Sequence, residues 1–106
     1  MISRINVATI NGVEIEYDPG KSEKNVSDRG ISFELVSGFD FDTALIVQDT
    51  RHDYGEPRYQ ALGYIDSRLY ALVFTTRDQV VRVISLRKAN LREVKGYEQK
   101  TKSRTD

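Results

Sequence analysis

The side chains able to move a proton or hold an anion are few here, and their types narrow the chemistry at once. Cysteine is absent, so disulfides, thiolate zinc sites and cysteine nucleophiles are out of reach. His52 is the one histidine, which excludes paired-histidine acid–base work and the HExxH metal motif. The sequence contains no GxGxxG, P-loop or GxSxG motif. Asp40-Phe41-Asp42 lacks the glycine and glutamate of a calcium loop. No metal or cofactor is expected. Chemistry must rest on Arg, Lys, Glu, Asp, Tyr and the single His.

A basic and polar set remains in the second half. Glu56-Pro57-Arg58-Tyr59 stands at a loop-to-strand junction, Arg82 within a strand, and Arg87-Lys88 at that strand's end. Tyr97 follows in the last helix. Clustered guanidiniums suit phosphate, because they offer permanent charge and planar, bidentate donors. Tyrosines can stack on unpaired bases. Adjacent hairpin strands are expected to bring Arg58, Arg82 and Arg87 to one end of a sheet. The plainer reading pairs Arg58 and Arg82 with Glu56 or Glu93. His52, in Arg51-His52-Asp53-Tyr54, reads as an exposed loop residue, and Lys24 as part of a solvated helix face.

The charge distribution sharpens this picture. Net charge is zero, with 16 basic and 16 acidic residues. Residues 1–50 hold four bases against nine acids, and residues 51–106 hold twelve against seven. An acidic half at −5 thus faces a basic half at +5. Such asymmetry points to nucleic acid or to a charged protein partner.

The elements that must position these groups follow from pattern. At 106 residues, 39% hydrophobic and 30% charged, the chain makes one domain with one modest core. No apolar run nears the ~20 residues of a membrane span, and the start lacks a signal-like stretch. The expected compartment is the cytoplasm. Asn11-Gly12 predicts a hairpin of strands near 4–10 and 13–17. Asp18-Pro19 opens a helix that runs to about Asp28 and closes at Gly30. Ser32 caps a second, short helix from Phe33 to about Gly38. Strands are expected over 43–47, 58–65, 69–76 and 80–86, joined as an antiparallel meander. On the last strand, strict alternation places Val81, Val83 and Ser85 on one face and Val80, Arg82, Ile84 and Leu86 on the other. Arg82 among apolar neighbours then needs an anion or a wet edge. Asn90 and Glu93 form a capping box for a helix from Leu91 to about Gln99. Residues 1–100 are expected as a single α+β domain, and 101–106 as a polar, frayed tail.

Taken together, these residues resemble the BrnT toxin family, of RelE-like fold. The likeness starts at Ile15-Glu16-Tyr17-Asp18-Pro19-Gly20-Lys21 and passes through Asn25, Gly30-Ile31-Ser32-Phe33 and the Asp49 region. It continues at Glu56-x-Arg58 and Gly63, and ends on Val81-Arg82-Val83-Ile84-Ser85-Leu86-Arg87-Lys88-Ala89 with Glu93 and Tyr97. The resemblance implies an antiparallel meander with two N-terminal helices and one C-terminal helix; the N-terminal hairpin is an addition. It also implies a type II toxin, a ribonuclease that arrests growth. A BrnA-type antitoxin would neutralise it in a two-plus-two complex and bind operator DNA itself. The chain departs where it has Asp28-Arg29-Gly30 for the family's usual Lys-His-Gly; Arg29 keeps a charge but does not shuttle protons near neutral pH. Leu86 replaces the usual alanine.

The expected chemistry is metal-independent attack of a 2′-hydroxyl on the adjacent phosphate. Arg58, Arg82 and Arg87 would carry charge stabilisation, with Glu56 as base. Lys24, Arg29, Lys88 and Tyr97 would contact RNA, Lys24, Lys88 or Tyr97 also being candidate proton donors. The competing reading is a catalytically inactive relative that binds a small antitoxin or regulator. A DNA-binding protein is disfavoured, since no helix-turn-helix is evident.

Overall fold

A computed structural model describes residues 6–10 and 13–104. Strands β1 (Asn6–Ile10) and β2 (Val13–Tyr17) pair antiparallel, Ile10 opposite Val13. This is the expected hairpin, although its Asn11-Gly12 turn lies outside the described residues. Helix α1 (Pro19–Arg29) follows, capped by the Asp18 carboxylate on the Gly20 N–H at 2.9 Å. Gly30 ends it at φ 71°, a left-handed conformation that glycine adopts without a Cβ penalty. The segment Phe33–Gly38 is a 3-10 helix rather than an α-helix, capped by Ser32. At six residues it is longer than the usual 3-10 run, and the Ser32 hydroxyl holds its start by accepting from the Glu34 N–H at 3.1 Å.

Four strands follow: β3 (Leu45–Gln48), β4 (Tyr59–Ile65), β5 (Arg68–Arg77) and β6 (Val80–Lys88). They form the expected antiparallel meander. Asp78 and Gln79 both take positive φ, the geometry of a two-residue hairpin turn. The whole sheet has six strands in the order β1-β2-β6-β5-β4-β3. It is mixed, not purely antiparallel, because β2 lies parallel to β6. The α1 crossover between β2 and the meander permits that pairing. Helix α2 spans Leu91–Arg104, beyond the expected end at Gln99. The last residues are helix formers such as Lys and Gln, without a glycine or proline to stop it.

The sheet has two occupied faces. On one, α1 and the 3-10 helix cover Ile15, Leu72, Phe74, Val83 and Leu86, and Phe33, Val36 and the following Phe39 join them in the core. Burial on this scale supplies most of the stabilisation, at about 25 cal/mol per Å² of apolar surface. Asn25 sews α1 to the sheet: its buried Nδ2 donates to the carbonyls of Ile31 (2.8 Å) and Leu86 (2.9 Å). On the other face α2 packs Tyr97 and Val94 against Leu69, Leu62 and Tyr64.

One expectation about faces is corrected. The register shifts between Val73 and Phe74, which face Ser85 and Val83, so Ile84 is an extra residue in β6. This bulge breaks the alternation. Leu86 therefore joins Val81 and Val83 in the main core, and Arg82, Ser85 and Arg87 share the α2 face.

Candidate active site

The α2 face of the sheet is only partly covered, and the uncovered part is a cleft of about 420 Å³. Its floor includes Leu62, Ala71 and Val73. Arg87, Glu93, Tyr97 and Lys100 line one side, and Val47, Arg51 and Gln60 line it as well. Leu62, Ala71 and Val73 make the floor apolar; Ala71 stands opposite Leu62 on β4 and opposite Arg87 on β6. The charged groups stand on the walls.

Arg87 sits on the wall because β6 delivers it immediately before the turn into α2. Both terminal nitrogens donate to Glu93, Nη1 to Oε1 and Nη2 to Oε2, each at 2.8 Å. Glu93 is also the expected capping-box residue. Its Oε1 accepts from the Asn90 N–H at 2.9 Å, while Asn90 Oδ1 accepts from the Glu93 N–H at 2.8 Å. The Arg87 guanidinium lowers the Glu93 carboxyl from its ordinary value; burial opposes it, and the Asn90 N–H adds a smaller lowering.

Beyond β3 lies a second polar cluster, organised by Asp49. Its carboxylate accepts from Arg51 Nε (2.9 Å), Nη2 (2.8 Å) and backbone N–H (3.1 Å). Tyr54 Oη and Gln60 Nε2 approach it at 3.3 Å. The side chain keeps 4% of its surface exposed. Hydrogen bonds from Arg51 hold the Asp49 carboxyl well below the usual range. Arg58 lies in the same row, since its carbonyl accepts from the Asp49 N–H at 2.7 Å. Its Cζ stands 4.0 Å from the centre of the Tyr54 ring, and His52 meets that ring edge-on at 5.6 Å. Among the described residues Arg58 has no carboxylate within ion-pair distance.

The fold distributes the expected residues unevenly. Arg58, Arg82 and Arg87 share one face but do not meet at one end. Pro57, just before Arg58, accepts a hydrogen bond from Thr75, and Arg82 opposes Thr75. Arg87 opposes Ala71, roughly 13 Å along the sheet at about 3.3 Å per residue. Arg82 is bound to Glu16 at 2.9 Å across the parallel β2–β6 pair, the anionic partner its setting demanded. That partner is neither Glu56 nor Glu93. Glu56 faces Arg77 at 3.5 Å. Tyr97 is 5% exposed, donates to the Thr43 carbonyl at 2.8 Å and packs edge-on to Tyr64; it anchors α2. Lys24 pairs with Asp28 on α1, and Arg29 ends that helix, so both stand on the other side of the sheet. Lys88 alternates away from Arg87.

Asp49, Arg51, Tyr54 and Gln60 enter the picture only through the fold. The signal for them was faint: a polar loop whose aspartate falls within the stretch resembling the toxin family. A comparison with curated proteins finds no match. Residues 17–93, most of the chain, match the family described as ribonuclease toxin, BrnT, of type II toxin–antitoxin systems. Those residues span α1, the meander and the Arg87–Glu93 pair, and on that match the chain belongs to the BrnT ribonuclease toxin family.

Proposed function

We propose that this protein is the toxin of a type II toxin–antitoxin pair and a metal-independent endoribonuclease of RelE-like architecture. Its active site on this reading is the cleft between sheet and α2. The observation that carries it is the guanidinium of Arg87 on the cleft wall above an apolar floor. The reaction is attack of a 2′-hydroxyl on the adjacent phosphate, giving a cyclic phosphate and a 5′-hydroxyl. Arg87 and Arg58, on one sheet face about 13 Å apart along it, supply positive charge along the RNA backbone that carries the developing phosphorane rather than at one point. The apolar floor takes an unstacked base, as proteins do when they read single-stranded RNA. Arg82, occupied by Glu16, supports the sheet rather than the phosphate. Glu56, Lys24, Arg29 and Lys88 stand outside the catalytic group in this reading, because their partners or positions keep them from the cleft; Tyr97 lines the cleft, but its hydroxyl is engaged with the Thr43 carbonyl.

The antitoxin partner is of BrnA type, in a two-plus-two assembly that reaches operator DNA through the antitoxin. The cytoplasm is the compartment where such an RNA target resides. One observation favours the second reading, an inactive relative that serves as a binding module: Arg82 and Arg87 each already hold a carboxylate. The test is cleavage of single-stranded RNA by the purified chain with EDTA present, beside induced expression in bacteria lacking the antitoxin. Cleavage in EDTA with growth arrest supports the nuclease. Intact RNA and normal growth support the binding module.

A further inference from the structure

Resting on the ribonuclease reading, we propose that His52 is the group that protonates the leaving 5′-oxygen. The reaction needs an acid at that oxygen, and the carboxyl and phenol groups of the cleft and of the neighbouring Asp49 cluster are engaged. Glu93 is held by both terminal nitrogens of Arg87 and by the Asn90 N–H. Asp49 is held by Arg51, Tyr54 and Gln60. The Tyr97 hydroxyl donates to Thr43. Guanidiniums do not release protons in water. Imidazole is the side-chain type that exchanges a proton between pH 5 and 8, and this chain has one.

Geometry places that imidazole near Arg58, which among the described residues has no carboxylate within ion-pair distance. His52 and Arg58 contact the same Tyr54 ring, His52 at its edge and Arg58 over its face. Tyr54 in turn is tied through Asp49 to Arg51 and Gln60, which line the cleft. A phosphate held by Arg58 therefore lies at the loop that carries His52. The charged and titratable groups on and around this loop are Asp49, Arg51, Asp53, Tyr54, Glu56 with its partner Arg77, and Arg58. In the step, the 2′-oxygen forms its bond to phosphorus and gives its proton to solvent. The bond from phosphorus to the 5′-oxygen breaks, and the imidazolium of His52 gives that oxygen a proton.

The experiment is single-turnover cleavage of a short single-stranded RNA from pH 5 to 9. Parent, His52→Ala, His52→Gln, Lys100→Ala and Arg87→Ala are compared. A second substrate has sulfur in place of the 5′-oxygen, a leaving group that needs no proton. His52→Ala and His52→Gln should lose about 10²–10⁴ in rate on the oxygen substrate. They should also lose the fall in rate at alkaline pH and match the parent on the sulfur substrate. His52 is exposed, so unchanged circular dichroism is expected for both. Parent-like rates for both variants on the oxygen substrate, with Arg87→Ala impaired, overturn the role of His52 and leave the nuclease reading intact. So does sulfur rescue confined to Lys100→Ala, the rival donor on the cleft wall. A parent that cuts neither substrate overturns both.

Discussion

Glu93 binds Arg87 through two parallel hydrogen bonds of 2.8 Å and, with the same carboxylate, caps the helix that walls the cleft. A bidentate carboxylate–guanidinium pair fixes the plane of the arginine fork as well as its position. One residue thus sets both where Arg87 points and where α2 begins.

The first prediction follows from linkage. Glu93 has a depressed folded pKa caused by Arg87. Its stabilisation is therefore fully present above the unfolded value of about 4.3 and is lost as pH falls through the lower folded value. Glu93→Gln keeps an acceptor for the Asn90 N–H but loses the ion pair with Arg87, and should cost about 0.5–1 kcal/mol at pH 7. The gap to the parent should narrow steadily below about pH 4. Urea unfolding at a series of pH values checks this; a gap independent of pH would show that the charge contributes nothing.

Arg87→Ala should reduce RNA cleavage on the order of 10²–10³, the cost of one transition-state donor. Arg87→Lys should recover little of it, because an ammonium cannot reproduce the fork that Glu93 holds. Cleavage rates for the two variants, compared at equal folded fraction, are the measurement. Full recovery by lysine would reduce the role of Arg87 to simple charge.

Asp49 gathers Arg51, Tyr54 and Gln60 onto one carboxylate. Asp49→Ala should free the loop 50–57 while leaving the sheet in place, since the groups that lose their acceptor are the Arg51 backbone N–H and loop and cleft-rim side chains. Hydrogen exchange should rise in that loop and not in β5, and RNA cleavage should fall at least about tenfold, one 1.4 kcal/mol step in the barrier. Uniform exchange across the sheet would instead mark Asp49 as a determinant of the whole fold.

Two glycines should respond in opposite directions. A Cβ on Gly63 would lie 2.5 Å from the ring of Phe39, itself 1% exposed. Gly63→Ala should therefore destabilise by about 1–3 kcal/mol through overpacking. A Cβ on Gly96, within α2, meets nothing within 4 Å. Gly96→Ala should stabilise by about 0.5–1 kcal/mol, through helix propensity alone. Chemical denaturation of both variants decides it.

Much of this molecule was legible in the order of its residues. Asp18-Pro19 and Gly30 delimit α1, Asn90 and Glu93 start α2, and the short turns after β4 and β5 demand a meander, because each signal acts through backbone geometry within a few residues. Tertiary structure alone decided the rest. The parallel pairing of β2 with β6, which gives Arg82 its partner in Glu16, joins residues 66 apart in sequence by their distance in the fold, not by any local rule. The bulge at Ile84 reverses which face Leu86 occupies, and nothing in a strand's alternation announces an extra residue. Pairing of β3 with β4 brings Arg58 and Gln60 to the Asp49 loop, where Arg51 and Tyr54 already lie within five residues of Asp49, while Lys24 and Arg29 go to the other side of the sheet. Residue types limited the chemistry to guanidiniums, carboxylates and one imidazole; which of them meet depended on how the strands were ordered.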